Sequence, residues 1–406
     1  MTHSRPPSFF NFTHAHPSKP TTGNDCTGNS REALLALLAL QQVDGLGAVG
    51  LNHLLASQTS VLQLLELGPN ARQLEFLSAP VRRRLTGFLR SPRSSVYWQI
   101  AEQTLGWLDT HGGVALTKDD SRFPPLLREL ADCPPLLFVH GQTGLLVSDS
   151  ISIVGTRKPS ITGRQFAQRL ARNLAEAGLV VTSGMALGID TATHQGALDS
   201  SGRTVAVMAT GLDVMYPASN FQLSQRIKHS GALVTEMPLG TSTHPGLFPR
   251  RNRIVAALSL GVVVVEAGLP SGSLITANCA AEQGREVFAV PGAVNNSQSK
   301  GCHQLIRDGA HLIESADDVL AVLGGFRSLS LPADAADNCA HGPASDSSAL
   351  SPELRRVLAA IQSDSASFEM VSRGCGLPAD QLNMALVDLE LLGFIIAVGG
   401  QYSLKI

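Results

Sequence analysis

The sequence is short of several things, and each absence narrows what the chain can do. Its 406 residues carry 31 Lys and Arg against 33 Asp and Glu, a formal net charge of −2. No chain-wide basic field gathers a polyanion, so any nucleic-acid site must be a local patch on a near-neutral surface. Six cysteines (Cys26, Cys133, Cys279, Cys302, Cys339 and Cys375) are scattered with no C-x-x-C pair. That pattern argues against a zinc ribbon and against a secreted disulfide scaffold. The N-terminus is rich in Pro, Ser, Thr and His and has no apolar h-region, so a signal peptide is not expected. The longest apolar run, near Leu258–Ala267, is interrupted by Ser259, Gly261 and Glu266 and is too short to span a bilayer. The expectation is a cytoplasmic protein that makes no use of a membrane. There is no G-x-S-x-G, no H-E-x-x-H and no Walker A lysine motif, so the familiar hydrolase, zinc-peptidase and nucleotide-triphosphatase signatures are missing.

What is present allows two or three domains. Residues 1–30 are low in aliphatics and rich in turn formers and are expected to be a disordered tail. Residues 31–110 read as a helical domain, with Leu34, Leu35, Leu37, Leu38 and Leu40 as a dense apolar stretch. Gly45-Leu46-Gly47-Ala48-Val49-Gly50 satisfies G-x-G-x-x-G, but it follows a helix rather than a strand, so the dinucleotide fingerprint is not supported. A helix–turn–helix pair is expected there, and its exposed amides either meet a DNA backbone or only reverse the chain.

From Ile151 the period changes. Apolar runs at Ile151–Val154, Leu179–Thr182, Thr204–Ala209, Ala232–Thr235, Val262–Glu266 and Val287–Val290 alternate with helical spacing such as Phe166, Leu170, Ala171 and Leu174. Alternating β and α with continuous apolar strands means a doubly wound, mostly parallel sheet covered on both faces, here assigned to residues 111–324. Residues 325–349 read as an Ala-, Asp-, Ser- and Pro-rich linker. Residues 350–406 read as helices followed by a glycine-turn hairpin, a winged helix.

In such a sheet ligands sit beyond the carboxyl ends of the strands. Three loops there carry glycines and hydroxyls or cations: Gly155-Thr156-Arg157-Lys158-Pro159-Ser160, Ser183-Gly184-Met185-Ala186-Leu187-Gly188, and Ser271-Gly272-Ser273. Each alone is a weak signal, because a glycine turn after a strand is often only a chain reversal; three converging on one sheet edge suit a phosphate cradle built on helix N-termini. A fourth segment, Phe248-Pro249-Arg250-Arg251-Asn252-Arg253, sets three arginines beside an aromatic ring. Guanidinium on phosphate and ring on base is the favoured reading; a helix start with Arg251 or Arg253 held inside the protein is the alternative.

These segments, in this order and together with Gly284–Gly292 and Pro134–Phe138, resemble the motif series of the DprA/Smf family of DNA-processing proteins over about residues 118–322. The resemblance implies an extended Rossmann-like fold with an N-terminal SAM-like helical domain and a C-terminal winged helix. It implies a homodimer through the Rossmann-like domain and single-stranded DNA in a basic pocket, handed to the RecA recombinase during natural transformation. It carries over Arg157 as a phosphate clamp, Gly184–Gly188 as pocket wall, and Phe248 and Arg250 as strand contacts. Two places depart from the family pattern. Cys302-His303 replaces a small polar pair, and Pro245 and Gly246 stand where relatives often have a lysine, which shifts the pocket's charge toward Arg250 and Lys300. No metal, cofactor or catalytic residue is expected.

Other titratable groups have two readings each. Asp190 and His194 share a helix face as an acid–base pair, or, as favoured, Asp190 caps the helix and His194 bonds locally. Glu236 and Glu266 end strands near the ligand edge and bind either a ribose hydroxyl or loop amides. The rival function is a Rossmann-like nucleoside monophosphate hydrolase of the lysine-decarboxylase-like group. Thr276 stands about where its catalytic glutamate would be, and a threonine hydroxyl does not replace that acid. The expected recognition helix of the winged domain, about Ala379–Leu391, has Asp380, Asp388 and Glu390 and no Lys or Arg, which argues against reading DNA.

Overall fold

The computed structural model describes residues 28–56, 60–330, 352–361, 366–391, 395–398 and 401–404. Contacts divide the chain between Gly324 and Gly325. The expected tail lies outside the described residues up to position 27; the helix at its end begins already at Gly28.

The first unit opens with α1 (Gly28–Gln41), α2 (Ala48–Ala56), α3 (Val61–Leu67), α4 (Ala79–Arg90) and α5 (Val96–His111). Gly45 adopts φ +82° in the turn between α1 and α2, so the G-x-G-x-x-G segment does join two helices. This helical region does not stand apart from the sheet. Leu38, Leu54, Leu85 and Leu105 share one core with Leu136, Phe138, Ala206 and Leu233 of the strands. The boundary expected at residue 110 is therefore no break in packing.

The sheet consists of β1 (Gly113–Thr117), β2 (Leu136–Gly141), β3 (Ser150–Gly155), β4 (Val180–Ser183), β5 (Thr204–Val207), β6 (Ala232–Thr235), β7 (Gly261–Val265), β8 (Glu286–Ala289) and β9 (His311–Leu312). Among the described residues its order is β1-β2-β6-β5-β4-β3-β7-β8-β9. Strands β3 to β9 pair in parallel, while β1–β2 and β2–β6 are antiparallel. The six expected strands are all present; β1, β2 and β9 are additions. Between them run α6 (Pro125–Arg128), α7 (Ile161–Glu176), α8 (Ile189–Leu198), α9 (Phe221–Ser230), α10 (Leu247–Ala257), α11 (Gly272–Glu282), α12 (Lys300–Arg307) and α13 (Ala316–Ser330). Side chains alternate between faces, as a pleated strand requires. Val262 and Val264 pack with Ile254, Val255, Ala277 and Leu305, while Val263 and Val265 pack with Ala167, Leu170, Ala192 and Val319.

The order in which strands are laid down reverses at β3. From β3 the chain winds outward through β4, β5 and β6, and α10 then carries it back to lay β7 on the other flank of β3. The carboxyl ends of β3 and β7 form the topological switch point, where an open α/β sheet leaves a crevice.

The second unit holds α14 (Pro352–Ala360), α15 (Phe368–Cys375) and α16 (Ala379–Leu391) with the strands β10 (Ala366–Ser367), β11 (Ile395–Val398) and β12 (Gln401–Leu404) in the order β10-β12-β11. Val357, Ile361, Val371, Leu382, Leu386 and Leu389 make its core. Helices with a β-wing match the expectation, and Asp388 is exposed on α16; the side chains of Asp380 and Glu390 lie outside the described residues. The linker expected from Gly325 starts later, because α13 runs to Ser330; residues 331–349 are outside the described set. Among the described residues no helix is long and apolar enough to cross a membrane.

Candidate nucleic-acid interface

The switch point carries a cleft of about 330 Å³. Its walls come from every loop expected to meet there: Gly155, Thr156 and Arg157 after β3, Gly184 and Ala186 after β4, Phe248, Arg251 and Asn252 from α10, and Ser271, Gly272, Ser273 and Thr276 at α11. A smaller recess of about 40 Å³ adjoins it and shares Arg157, Gly184, Ala186, Phe248 and Arg251, adding Met185, Leu187, Thr210 and Tyr216. Helices α7, α8 and α11 all begin near this rim, but their ends differ: α11 lines the cleft with Gly272 and Ser273, α8 lines it with Asp190 while its Ile189 amide donates to the Thr156 carbonyl, and the start of α7 closes over the Glu266 carboxylate. Ser160 caps α7 by accepting from the Gly163 amide, and Ser271 caps α11 by accepting from the Ser273 amide.

The outer rim is cationic and aromatic. Arg157 and Lys158 are exposed. The Arg157 guanidinium lies 5.2 Å from the centre of the Phe248 ring, and Tyr216 follows with its ring centre 5.7 Å from Phe248. Neither Arg157 nor Lys158 has an ion-pair partner among the described residues. Tyr216 was not anticipated from sequence. The signal was available, since it lies in the loop after β5 at the same sheet edge.

Inside the rim, Arg251 is 5 % exposed. It donates to the Gly184 carbonyl and, at 2.6 Å, to the Val207 carbonyl, tying the ends of β4 and β5 to α10. A Cβ at position 184 would stand 2.2 Å from its guanidinium nitrogen, so the close approach demands glycine. Burial lowers the Arg251 pKa to about 10 despite the carboxylate of Asp190 nearby. Asp190 is itself pushed up by burial, against Arg251 and the amides of Ala186 and Gly184 that donate to it. It thus caps the turn into α8. His194 does not face it as a base: its Nδ1 lies 2.8 Å from Thr204 Oγ1, whose own proton goes to the Val181 carbonyl. Thr204 therefore accepts from Nδ1–H, and burial drives the His194 pKa down to about 3.

Not every expected residue reaches the cleft. In α10, Arg250 and Arg253 lie three residues apart on one face, while Phe248, Arg251 and Asn252 turn the other way. Arg253 is bound inside by Glu236 at 2.6 Å and Asp132 at 3.1 Å. Arg250 lies 3.4 Å from Glu236 and lines a separate cleft with Gly45–Ala48. The structure thus removes Arg250 and Arg253 from the common basin because of helical phase. Asn252 is buried and donates to the Gly272 carbonyl; the Ser183 hydroxyl is buried and donates to the Ile153 carbonyl. Lys300 is exposed at the start of α12 but does not line the cleft; Gln298 does. Gly188 ends the β4 loop at φ +84° just outside the lining residues. Cys302 is buried, and His303 contacts the Gly292 carbonyl at 3.0 Å. Glu236 and Glu266 both bond within the protein, to arginines and to Ser160.

A doubly wound, mostly parallel sheet with a cleft at its switch point, and cations there that have no ion-pair partner among the described residues, defines a Rossmann-like protein. Residues 114–324 match the family model of DNA recombination-mediator protein A, and residues 341–401 match the DprA winged helix domain. Protein Smf of Escherichia coli is 36 % identical over 91 % of this chain and 95 % of its own length. DNA processing protein DprA of Streptococcus pneumoniae is 45 % identical over half of this chain and 71 % of its own. The X-ray structure of DprA from Streptococcus pneumoniae superposes with a TM-score of 0.55 at 34 % identity, covering 72 % of this chain and 96 % of that one. The chain belongs to the DprA/Smf family of DNA-processing proteins.

Proposed function

We propose that the rim cleft binds single-stranded DNA without cutting or modifying it, and that the protein is a recombination mediator which protects incoming strands and loads the RecA recombinase during natural transformation. The observation that carries this reading is Arg157, a solvent-facing cation with no ion partner among the described residues, set over Phe248 on the cleft that the start of α11 lines. A phosphate takes the guanidinium and the start of α11, and bases take the faces of Phe248 and Tyr216. Membership in a family described as recombination mediators supports the wider role. In this reading two copies pair through the Rossmann-like domain, RecA is the protein partner, and the work is done in the cytoplasm with no cofactor or metal.

Hydrolysis fits the cleft poorly. The only acid among its described lining residues is Asp190, already committed to two backbone amides, and Thr276 lines the wall where a catalytic acid is needed. Competition between single-stranded and duplex oligonucleotides across a salt series tests the proposal. Single strands should win, with a log–log slope of about −0.7 per phosphate neutralised. Equal affinity for both, or release of free base from nucleoside monophosphates, would overturn it.

A further inference from the structure

Strands β3 and β7 pair in parallel up to Gly155 opposite Val265. The ladder continues one step, with the Thr156 amide donating to the Glu266 carbonyl at 2.8 Å. At Glu266 the backbone then leaves the extended region for φ +53°, a left-handed conformation that a residue with a side chain rarely holds without a compensating bond. The compensation lies at the far end of the loop. Glu266 Oε2 accepts from the Ser160 amide at 2.8 Å, and Oε1 accepts from the Ser160 hydroxyl. The first turn of α7 closes tightly over this carboxylate, since a Cβ at Gly163 would stand 2.5 Å from Glu266 Cδ. One residue therefore holds both ends of the Gly155–Ser160 loop.

We infer that Glu266 is a positioning residue, strapping this loop at Thr156 and Ser160 so that Arg157 and Lys158 are fixed pointing outward to meet a nucleic-acid backbone. The inference deepens the DNA-binding reading and rests on it. Between the two straps, the Lys158 amide also donates to Thr156 Oγ1 at 3.2 Å, which leaves the two cationic side chains as the loop's outward-facing groups. A loop already held in its bound shape loses less freedom when the strand docks. The geometry also makes a claim that charge alone contradicts. A carboxylate beside a phosphate site repels a polyanion, so removing it should tighten binding if Glu266 acts only through its charge.

The experiment compares full-length wild type, E266A, E266Q, S160A and R157A. Binding to a fluorescent oligothymidylate is measured beside amide hydrogen exchange without DNA. E266A and E266Q remove the same charge, but the glutamine amide still bridges to Ser160. The strap predicts weaker binding by roughly threefold to tenfold for E266A, with E266Q recovering most of it, in spite of the lost negative charge. Exchange over residues 155–163 should quicken in E266A and, to a smaller degree, in S160A, while the sheet strands stay protected. Tighter or equal binding by E266A with unchanged exchange over 155–163 overturns the inference. Should E266A fail to fold, E266Q and S160A decide by the same two readouts. Wild-type protein that ignores the oligonucleotide sinks the DNA-binding reading alone, because the exchange measurement still tests the strap without DNA.

Discussion

Basic side chains at one edge of the sheet fall into two populations. On the outer rim, Arg157 and Lys158 face solvent and have no carboxylate to answer them among the described residues. On the inner side, Arg251 is absorbed by two strand-end carbonyls, Arg253 by Glu236 and Asp132, and His194 by Thr204. Residue type does not separate the populations, since arginine appears in both. What separates them is the helical or loop phase that turns a side chain toward water or toward the protein. The inner set should govern stability and the outer set affinity, and each variant below is a way to break that division.

The largest effect is expected inside. Arg253→Met leaves Glu236, 4 % exposed, without its closest cation. Removing one partner of a buried pair costs about 3–5 kcal/mol. Urea unfolding should register that loss, while the remaining folded protein should bind single strands within about twofold of wild type, a margin under 0.5 kcal/mol. An affinity loss as large as that of Arg157→Ala would put Arg253 in the wrong population.

Next comes His194, through pH. Its folded-state pKa is pushed by burial, and further by Arg251, to about 3, below the ordinary histidine value of 6.5. The folded chain thus refuses a proton that the unfolded chain accepts. Stability is whole above pH 6.5 and declines as pH falls toward 3. Each unit is worth about 1.4 kcal/mol, so pH 5 should cost about 2 kcal/mol relative to pH 7. His140 is also depressed, to about 4, by burial and Lys228, so the diagnostic quantity is the difference between wild type and His194→Asn, whose profile should be flatter. Parallel profiles would mean that His194 does not titrate as an inner group.

On the outer rim, Arg157→Ala should weaken single-strand binding by roughly tenfold at low salt for every base sequence and flatten the log–log salt slope by about 0.7. Its unfolding midpoint should stay near that of wild type, because the side chain is exposed and pairs with no acid among the described residues. Tyr216→Ala should cost about 1 kcal/mol of affinity, the low end for one stacked base, and leave the salt slope unchanged. A slope change in Tyr216→Ala would assign that ring to shaping the cationic rim and not to stacking.

How much of this division was legible before the fold was known depends on which physical signal carried it. The six parallel strands show as apolar runs because both faces are buried, and their carboxyl-end loops show as glycine and serine clusters. β1 and β2 pair antiparallel with each other and, through β2, with β6, about a hundred residues on; that pairing leaves no local periodicity to read. The Arg250–Arg253 run is legible as a cluster, with one shared DNA-facing surface as the favoured reading and an inward Arg251 or Arg253 as the alternative. Spacing alone could have split it, since positions 250 and 253 share a helix face that 248, 251 and 252 do not. The acids that claim Arg253, Glu236 and Asp132, lie far away in sequence, so their capture of it required the fold. Lys300 was chosen for its charge, and only the start of α12 shows that Gln298, two residues earlier, meets the cleft instead.

Arg250 is the sharpest case, because it belongs fully to neither population. Half of its side chain is exposed, like the outer set, yet it lies 3.4 Å from buried Glu236, like the inner set. Burial pushes the Glu236 pKa up while Arg253 and then Arg250 hold it down, so Arg250 is the weaker of the two cations on that acid. With its own side chain half exposed and a closer cation already on the acid, Arg250 should contribute only about 0–1 kcal/mol through this pair. Arg250→Ala should therefore change little: an unfolding shift within 1 kcal/mol and a loss of single-strand affinity of about twofold or less, with the salt slope intact. Measured beside Arg157→Ala in the same salt series, it locates the edge of the DNA path. A tenfold loss with a flattened slope would mean that the strand runs over α10 into the second cleft beside Gly45–Ala48, and that the rim cleft alone is too small an account of the interface.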